Sequence, residues 1–194
     1  MDDIISQKAS QPEFKDRTIV EVDNYLTGQK FFLQSIDGSF DCSSEAAKQV
    51  MDICSQQAVY DFLFSENLNG RPYTIRDARK FLNWAKKGWA DKTYFVFLIK
   101  DGSGKIVGAL DIKSPKLEGG EIGYWADPDV RGFMTNAVMA LCNVAREAGY
   151  KFLYALTLPE NPKSVRVLER AGFEKKGTVC EKGKEHFKYE IIFK

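Results

Sequence analysis

Histidine and cysteine are scarce in this sequence, and neither sign of charge is in excess. The single histidine is His186, and the four cysteines, Cys42, Cys54, Cys142 and Cys180, are scattered with no C-x-x-C pair. That scarcity argues against a zinc site built on histidine and against a disulfide framework, and it makes a reducing, cytoplasmic setting the expectation. No metal is expected. No apolar stretch is long enough to span a bilayer. The opening Met-Asp-Asp-Ile-Ile-Ser-Gln-Lys has no basic segment followed by an apolar run, so no signal peptide is expected. Lys and Arg total 28 against 27 Asp and Glu, for a net charge of +1. Such balance gives no ground for expecting nucleic acid or an anionic membrane as partner. A Gly-x-Ser-x-Gly elbow and an evident Cys–His arrangement are also missing, so covalent catalysis by Ser or Cys is not signalled.

What remains is an ordinary globular composition, 44% hydrophobic and 28% charged over 194 residues. No repeat or linker divides it, so one domain is expected across residues 1–194, with residues 1–15 as a polar, loose extension. Arg17–Val22 and Lys30–Gln34 read as short strands. Ser43 or Ser44 caps a helix through Ala47, Val50, Met51 and Cys54. Thr74–Lys87 reads as a second helix, opened by Thr74 and Asp77 in capping-box spacing and stopping before Gly88. A hairpin follows, Tyr94–Ile99 and Ile106–Ile112 around Asp101-Gly102-Ser103-Gly104. Then come a strand at Glu121–Ala126, a helix from about Phe133 to Ala148, a strand at Phe152–Leu158, a helix at Pro162–Ala171, and strands at 173–181 and 186–193. This order predicts an α/β chain with a mixed sheet flanked by helices, its centre a single β–α–β crossover.

Two segments carry chemistry. In Asp129-Val130-Arg131-Gly132-Phe133-Met134-Thr135-Asn136-Ala137 a strand gives way to an amphipathic helix. The first four N–H groups of a helix lack internal partners, and the dipole adds partial positive charge there. Gly132 removes a Cβ from the turn, Arg131 adds a full charge, and Thr135 adds a hydroxyl; together they suit a pyrophosphate. In Asn161-Pro162-Lys163-Ser164-Val165-Arg166-Val167-Leu168-Glu169-Arg170-Ala171-Gly172-Phe173, Asn161 suits the N-cap, Pro162 the first helical position and Gly172 the C-terminal stop. A well-capped helix needs no function, but Ser164 points toward the open helix end beside the preceding strand.

These segments, with Glu121-Ile-Gly-Tyr-Trp before them, resemble the GNAT superfamily of N-acetyltransferases, and within it the RimJ/RimL-type ribosomal-protein group. The resemblance runs from about Phe62 to the C-terminus. It implies the GNAT acyl-CoA N-acyltransferase fold, with acetyl-CoA as co-substrate between two splayed parallel strands, Glu121–Ala126 and Phe152–Leu158. Backbone groups near Trp125 and Ala126 would then bond the pantetheine arm and polarise the thioester, Arg131, Gly132, Phe133, Met134 and Thr135 would hold the pyrophosphate, and Asn161 would bond the arm. One departure stands out. The family writes its loop as Arg-Gly-Lys-Gly-Tyr-Met-Thr-Glu-Ala, and here two residues are missing. Either Arg131-Gly132 match the first Arg-Gly and the cradle is truncated, or Gly132 matches the second glycine, Arg131 takes the Lys place and Asp129 the usual Gln/Arg place. The second keeps Gly-Phe-Met-Thr in register and is preferred.

The implied reaction is direct attack by a primary amine, foremost a protein or peptide N-terminus. An α-amine has a pKa near 8 and a lysine near 10.4, about 3 kcal/mol apart in reaching the neutral form. Glu121 is the expected base and Ser164 the expected donor to the departing thiolate, since the Tyr that many GNAT enzymes place further along this helix is Leu168 here. Alternatives are a small-molecule amine such as an aminoglycoside or polyamine, and a GNAT-shaped module without catalysis. Other features read as structural: His186 as a strand residue, Trp84 and Trp89 as packing, Tyr60-Phe62-Phe64 as core or cleft lining, and Glu174–Glu185 as a solvated hairpin.

Overall fold

Alternation between buried and exposed side chains gathers the strands into one eight-stranded sheet in the computed structural model, which describes residues 11–194. The elements are β1 (Ile19–Asp23), β2 (Lys30–Ser35), α1 (Ser44–Cys54), α2 (Gln57–Leu63), α3 (Ile75–Asp91), β3 (Phe95–Lys100), β4 (Ile106–Ile112), β5 (Gly120–Ala126), α4 (Met134–Glu147), β6 (Phe152–Thr157), α5 (Pro162–Arg170), β7 (Glu174–Glu181) and β8 (Lys184–Ile192). The strand order is β1-β2-β3-β4-β5-β6-β8-β7. Every neighbour pair is antiparallel except β5–β6, which α4 joins as a crossover. The mixed sheet flanked by helices is the architecture expected of the GNAT fold.

Each face of the sheet buries its own core. Phe95, Phe97, Leu110, Ile112, Ile122, Leu153 and Ala155 pack with Ala137, Val138 and Leu141 of α4 and with Leu168 of α5. Val96, Leu98 and Ala109 pack on the other face with Ala47 and Val50 of α1 and Ala78, Leu82 and Ala85 of α3. The two faces meet different tasks: β5 sends Tyr124 to the first and Trp125 to the second.

Local signals behave as their chemistry dictates, with three differences. Ser43 caps α1 by accepting from Ala46 N, and Thr74 with Asp77 forms the capping box of α3. The short α2 is not announced in the sequence; it has no side-chain cap, and Val59 is its buried anchor. Helix α3 does not stop at Gly88 but runs on to Asp91. A Cβ on Gly88 would lie 2.1 Å from the Tyr94 ring and 2.6 Å from its carbonyl, so the glycine serves close packing and not termination. Of the stretch expected to be loose, residues 1–10 lie outside the described residues, whereas residues 11–15 are held in place. Phe14 sits 4.4 Å from the Phe95 ring and 5.3 Å from Trp89, and Glu13 N bonds Ala148 O.

Candidate active site

The parallel ladder between β5 and β6 is short. Gly120, Glu121 and Ile122 pair with Leu153, Tyr154 and Ala155, and beyond Ile122 the strands pair no further although β5 continues to Ala126 and β6 to Thr157. The β4 side of β5 stays zipped: Lys113 N donates to Glu121 O at 2.8 Å and Asp127 N to Val107 O at 2.8 Å. Antiparallel bonded positions alternate, so Gly123 and Trp125 also turn their backbone toward β4. The place a Cβ would take on Gly108, 2.7 Å from Trp125 O, agrees. Tyr124 and Ala126 therefore turn their amides and carbonyls into the gap. Of the two positions expected to face the co-substrate, Ala126 turns its backbone into the gap, whereas the register turns that of Trp125 toward β4 and presents Tyr124 instead. Thr157, buried at the end of β6, has a hydroxyl with no hydrogen-bond partner among the described residues.

The front of α4 lies at the open end of this gap. Asp127, itself buried, orders the approach by accepting from Asp129 N at 3.1 Å and from Gln56 Nε2 at 3.1 Å. Phe133, fully buried, stacks on Phe31 at 5.2 Å and 10°. Ala137 N is the first α4 amide with a helical partner, Phe133 O. The amides of Phe133, Met134, Thr135 and Asn136 have no protein acceptor among the described residues, which is the arrangement that attracts an anion. Gly132 serves a purpose the sequence did not reveal. Its φ is +91°, and a Cβ there would lie 2.2 Å from Asn24 Oδ1 and 2.9 Å from Leu26 Cγ. The space beside Gly132 that the sequence assigns to an anion is filled by the loop after β1. Asn24 Nδ2 donates to Arg131 O at 2.7 Å, Tyr25 N to Gly132 O at 2.9 Å, and Asn136 Nδ2 to Asp23 O at 2.7 Å. Arg131 and Asp129 are both exposed. The amides the turn leaves open are thus those from Phe133 onward, and Asn24 braces the turn from behind.

Helix α5 begins as its sequence requires, with Asn161 Oδ1 accepting from Ser164 N at 3.2 Å. The Ser164 hydroxyl lies 2.7 Å from the Tyr124 hydroxyl, and Tyr124 Oη also donates to Ser164 O at 3.2 Å. Burial pushes the Tyr124 phenol up to about 12, against the opposing effect of the Ser164 bond, so Tyr124 stays a neutral donor. This places a linked pair of hydroxyls beside the β5–β6 gap. Tyr124 is the partner that sequence reading missed; the Gly-Tyr-Trp run was its signal.

On the opposite face of β5 a cleft of about 130 Å³ is lined by Leu63, Phe81, Ala109, Asp111, Lys113 and Trp125. Asp111 Oδ1 accepts from Gly123 N at 2.8 Å. A Cβ on Gly123 would lie 2.8 Å from that oxygen, so the missing side chain makes room for the carboxylate. Burial raises the Asp111 carboxyl above its usual value, opposed by the Lys113 charge and the Gly123 amide. Glu121 is two residues further back. Its Oε1 pairs with Lys113 Nζ at 2.5 Å, and Oε2 accepts from Tyr154 Oη at 3.5 Å. Burial works against the Lys113 charge, yet the Glu121 bond and the nearby Asp111, Glu121 and Glu181 hold its pKa above the usual lysine value. At the rim, Phe62 is exposed next to Leu63, while Phe64 packs on Tyr73 at 4.6 Å. Lys184 at the β7–β8 turn pairs with Glu66 beyond α2. Among the described residues the His186 ring bonds only the Lys184 carbonyl, at 3.1 Å, and Trp89 packs against Phe95 and Phe97.

Residues 42–174 match the family described as "Acetyltransferase (GNAT) domain". No curated protein matches the chain in sequence. Among solved structures, RimJ of Mycobacterium smegmatis in complex with CoA-disulfide superposes with a TM-score of 0.74 at 18% identity, covering 94% of this chain and 90% of its own. The microcin C7 self-immunity acetyltransferase MccE, in complex with acetyl-CoA and AMP, gives 0.70 at 18% identity, with 84% and 92% covered. The ribosomal-protein-S5-alanine acetyltransferase of Vibrio fischeri gives 0.68 at 18% identity, with 90% and 96% covered. No described helix is long and apolar enough to cross a membrane.

Proposed function

The chain belongs to the GNAT acetyltransferase family and acts with acetyl-CoA, and from that premise we propose that its acceptor is the α-amine of a protein or peptide N-terminus, which attacks directly in a ternary complex. The observation that supports direct attack in a ternary complex is the break in the β5–β6 ladder after Ile122 and Ala155. It opens a gap that has paired hydroxyls on one side and a carboxylate-lined cleft on the other. Acetyl-CoA supplies an activated acyl group; the chain supplies the rest. The amides of Phe133, Met134, Thr135 and Asn136, with the Arg131 charge and the Thr135 hydroxyl, would hold the pyrophosphate. Backbone groups of Tyr124 and Ala126, the Asn161 amide and the free Thr157 hydroxyl would hold the arm. Gly132 supports this cradle through its contact with Asn24. Ser164, backed by Tyr124, would donate a proton to the leaving sulfur. Glu121 belongs to the basic side of the site, where it anchors Lys113 beside Asp111.

Two considerations support an N-terminus over a small molecule. A cleft of about 130 Å³ is well below the roughly 300–1,000 Å³ that enclose a whole drug-sized ligand, so its size suits the end of a chain better than an enclosed aminoglycoside. An α-amine also deprotonates far more readily than a lysine or a polyamine, by about two pH units. A cytoplasmic location accords with the four free cysteines. The test is a panel of peptides with free N-termini, polyamines and aminoglycosides, each scored for CoA release with acetyl-CoA present. Release with peptides is the expected result; release with polyamines or aminoglycosides alone would overturn the acceptor assignment.

A further inference from the structure

Resting on the α-amine reading above, we propose that Asp111 receives the acceptor's ammonium and takes its proton, so that it, and not Glu121, is the catalytic base. The two carboxylates share one face of the sheet but differ in what they are free to do. Glu121 is engaged at both oxygens, by Lys113 and by Tyr154. Asp111 makes one hydrogen bond, from Gly123 N to Oδ1, and its Oδ2 has no protein donor among the described residues. Asp111 lines the cleft and Glu121 does not. Beside Lys113 and Tyr124, the cleft around Asp111 is walled by apolar side chains, among them Leu63, Phe81, Ala109 and Trp125. A carboxylate with an unmatched oxygen in such a place is costly unless a cation arrives. The nearby cation of the chain, Lys113, is turned to Glu121. An incoming ammonium is the partner that completes the site, and the apolar walls suit a small or apolar first side chain.

Other titratable groups define the field around Asp111. Lys113 stands on its own strand, Glu121 on β5, Tyr154 behind Glu121 on β6, and Glu181 near Lys113 on β7; the residues reaching it from α2 and α3, Leu63 and Phe81, carry no charge. The Lys113 charge and the Gly123 amide favour the charged Asp111 carboxylate, and the Glu121 charge acts against it. Burial keeps the carboxylate more basic than an exposed one. In the reaction an N–H bond of the ammonium breaks and the proton passes to Asp111. The neutral nitrogen bonds the thioester carbonyl carbon, and the C–S bond breaks. The sulfur takes a proton from Ser164, which Tyr124 backs; the second amine proton, relayed through water, restores the Ser164 hydroxyl, and Asp111 then gives up its proton to water. The products are the N-acetyl amide, free CoA and one released proton.

The test uses acetyl-CoA with leucinamide and with peptides beginning Ala, Ser or Met. For the wild type, kcat/KM is expected to stay flat from about pH 6.5 to 7.5, because an enzyme base replaces the need for a pre-formed neutral amine; a tenfold rise per pH unit up to the amine's pKa near 8 would mean no base acts. Asp111→Asn keeps the Gly123 bond and removes the charge. It is expected to lower kcat/KM at pH 7 by about 100-fold or more, with acetyl-CoA affinity unchanged within twofold and with the deficit narrowing above pH 8. Equal rates for Asp111→Asn and wild type, or a larger loss in Glu121→Gln than in Asp111→Asn, would overturn the assignment and leave the α-amine reading standing. Absence of CoA release with leucinamide and all the peptides, while acetyl-CoA still binds, would overturn the α-amine reading and Asp111 with it.

Discussion

Replacing Gly132 with alanine tests whether the loop after β1 braces the pyrophosphate turn. Two penalties add at this position. The backbone sits at φ +91°, where an L side chain costs roughly 1–2 kcal/mol. The new methyl would also lie 2.2 Å from Asn24 Oδ1, so Asn24 must move. Asn24 is buried and its side chain makes three bonds, to Arg131 O at 2.7 Å and from Leu26 N and Thr27 N at 3.0 and 3.3 Å. Losing or stretching these costs about 1–3 kcal/mol in total, at roughly 1 kcal/mol per bond. The expected destabilisation is about 3 kcal/mol, which lowers Tm by about 6–12 °C for a chain of this size. Acetyl-CoA affinity should fall with it, since the amides of Phe133 to Asn136 shift along with the turn. Scanning calorimetry and isothermal titration read the two effects. In an Asn24→Ala background the same glycine change should cost at least about 1 kcal/mol less, because the clash with Oδ1 is gone. A Gly132→Ala protein within about 0.5 kcal/mol of wild type, the range of an ordinary surface change, would refute the reasoning.

Three further outcomes are expected. Ser164→Ala should lower kcat by at least tenfold and Tyr124→Phe by less, each with acetyl-CoA affinity nearly unchanged in titration calorimetry, as befits loss of a proton donor; full rates in both would remove the hydroxyl pair from the mechanism. Gly88→Ala should destabilise by about 1–3 kcal/mol through overpacking against Tyr94, although the same change in an open helix stabilises by about 0.5–1 kcal/mol, and denaturant titration distinguishes the signs. Asp111→Asn should raise Tm at pH 7: burial lifts the folded carboxyl above its unfolded value, so the group opposes folding at pH above its unfolded pKa, and this cost fades as pH falls through the folded pKa toward the unfolded one. A variant less stable than wild type at pH 7 and equal to it at low pH would contradict that sign.

Features whose cause is local were legible in the sequence. The caps at Ser43, Thr74 with Asp77, and Asn161 lie within three residues of the amides they serve, and the apolar spacing of α4 and the strands shows which face is buried. Features made by distant segments were not. Gly132 reads as an anion turn because nothing nearby shows that Asn24, more than a hundred residues earlier, will occupy its open side. Gly88 reads as a stop because Tyr94 returns against the helix only in three dimensions. Asp111 reads as one polar residue in an apolar strand. Its importance comes from Gly123 across the ladder and from Leu63 and Phe81 on helices far away in the chain. The lone acid in Ile106–Ile112 was the available signal. Glu121 drew attention by opening the central strand, but Lys113 and Tyr154 occupy its oxygens.

The most direct measurement is amide-resolved NMR of the wild-type chain titrated with acetyl-CoA. The account predicts saturable shifts and slowed hydrogen exchange at the amides of Phe133, Met134, Thr135 and Asn136 and at Tyr124 and Ala126, with Trp125 already protected in the β4–β5 ladder. Saturable binding that leaves all of these amides unchanged, or no binding at millimolar acetyl-CoA, would contradict it.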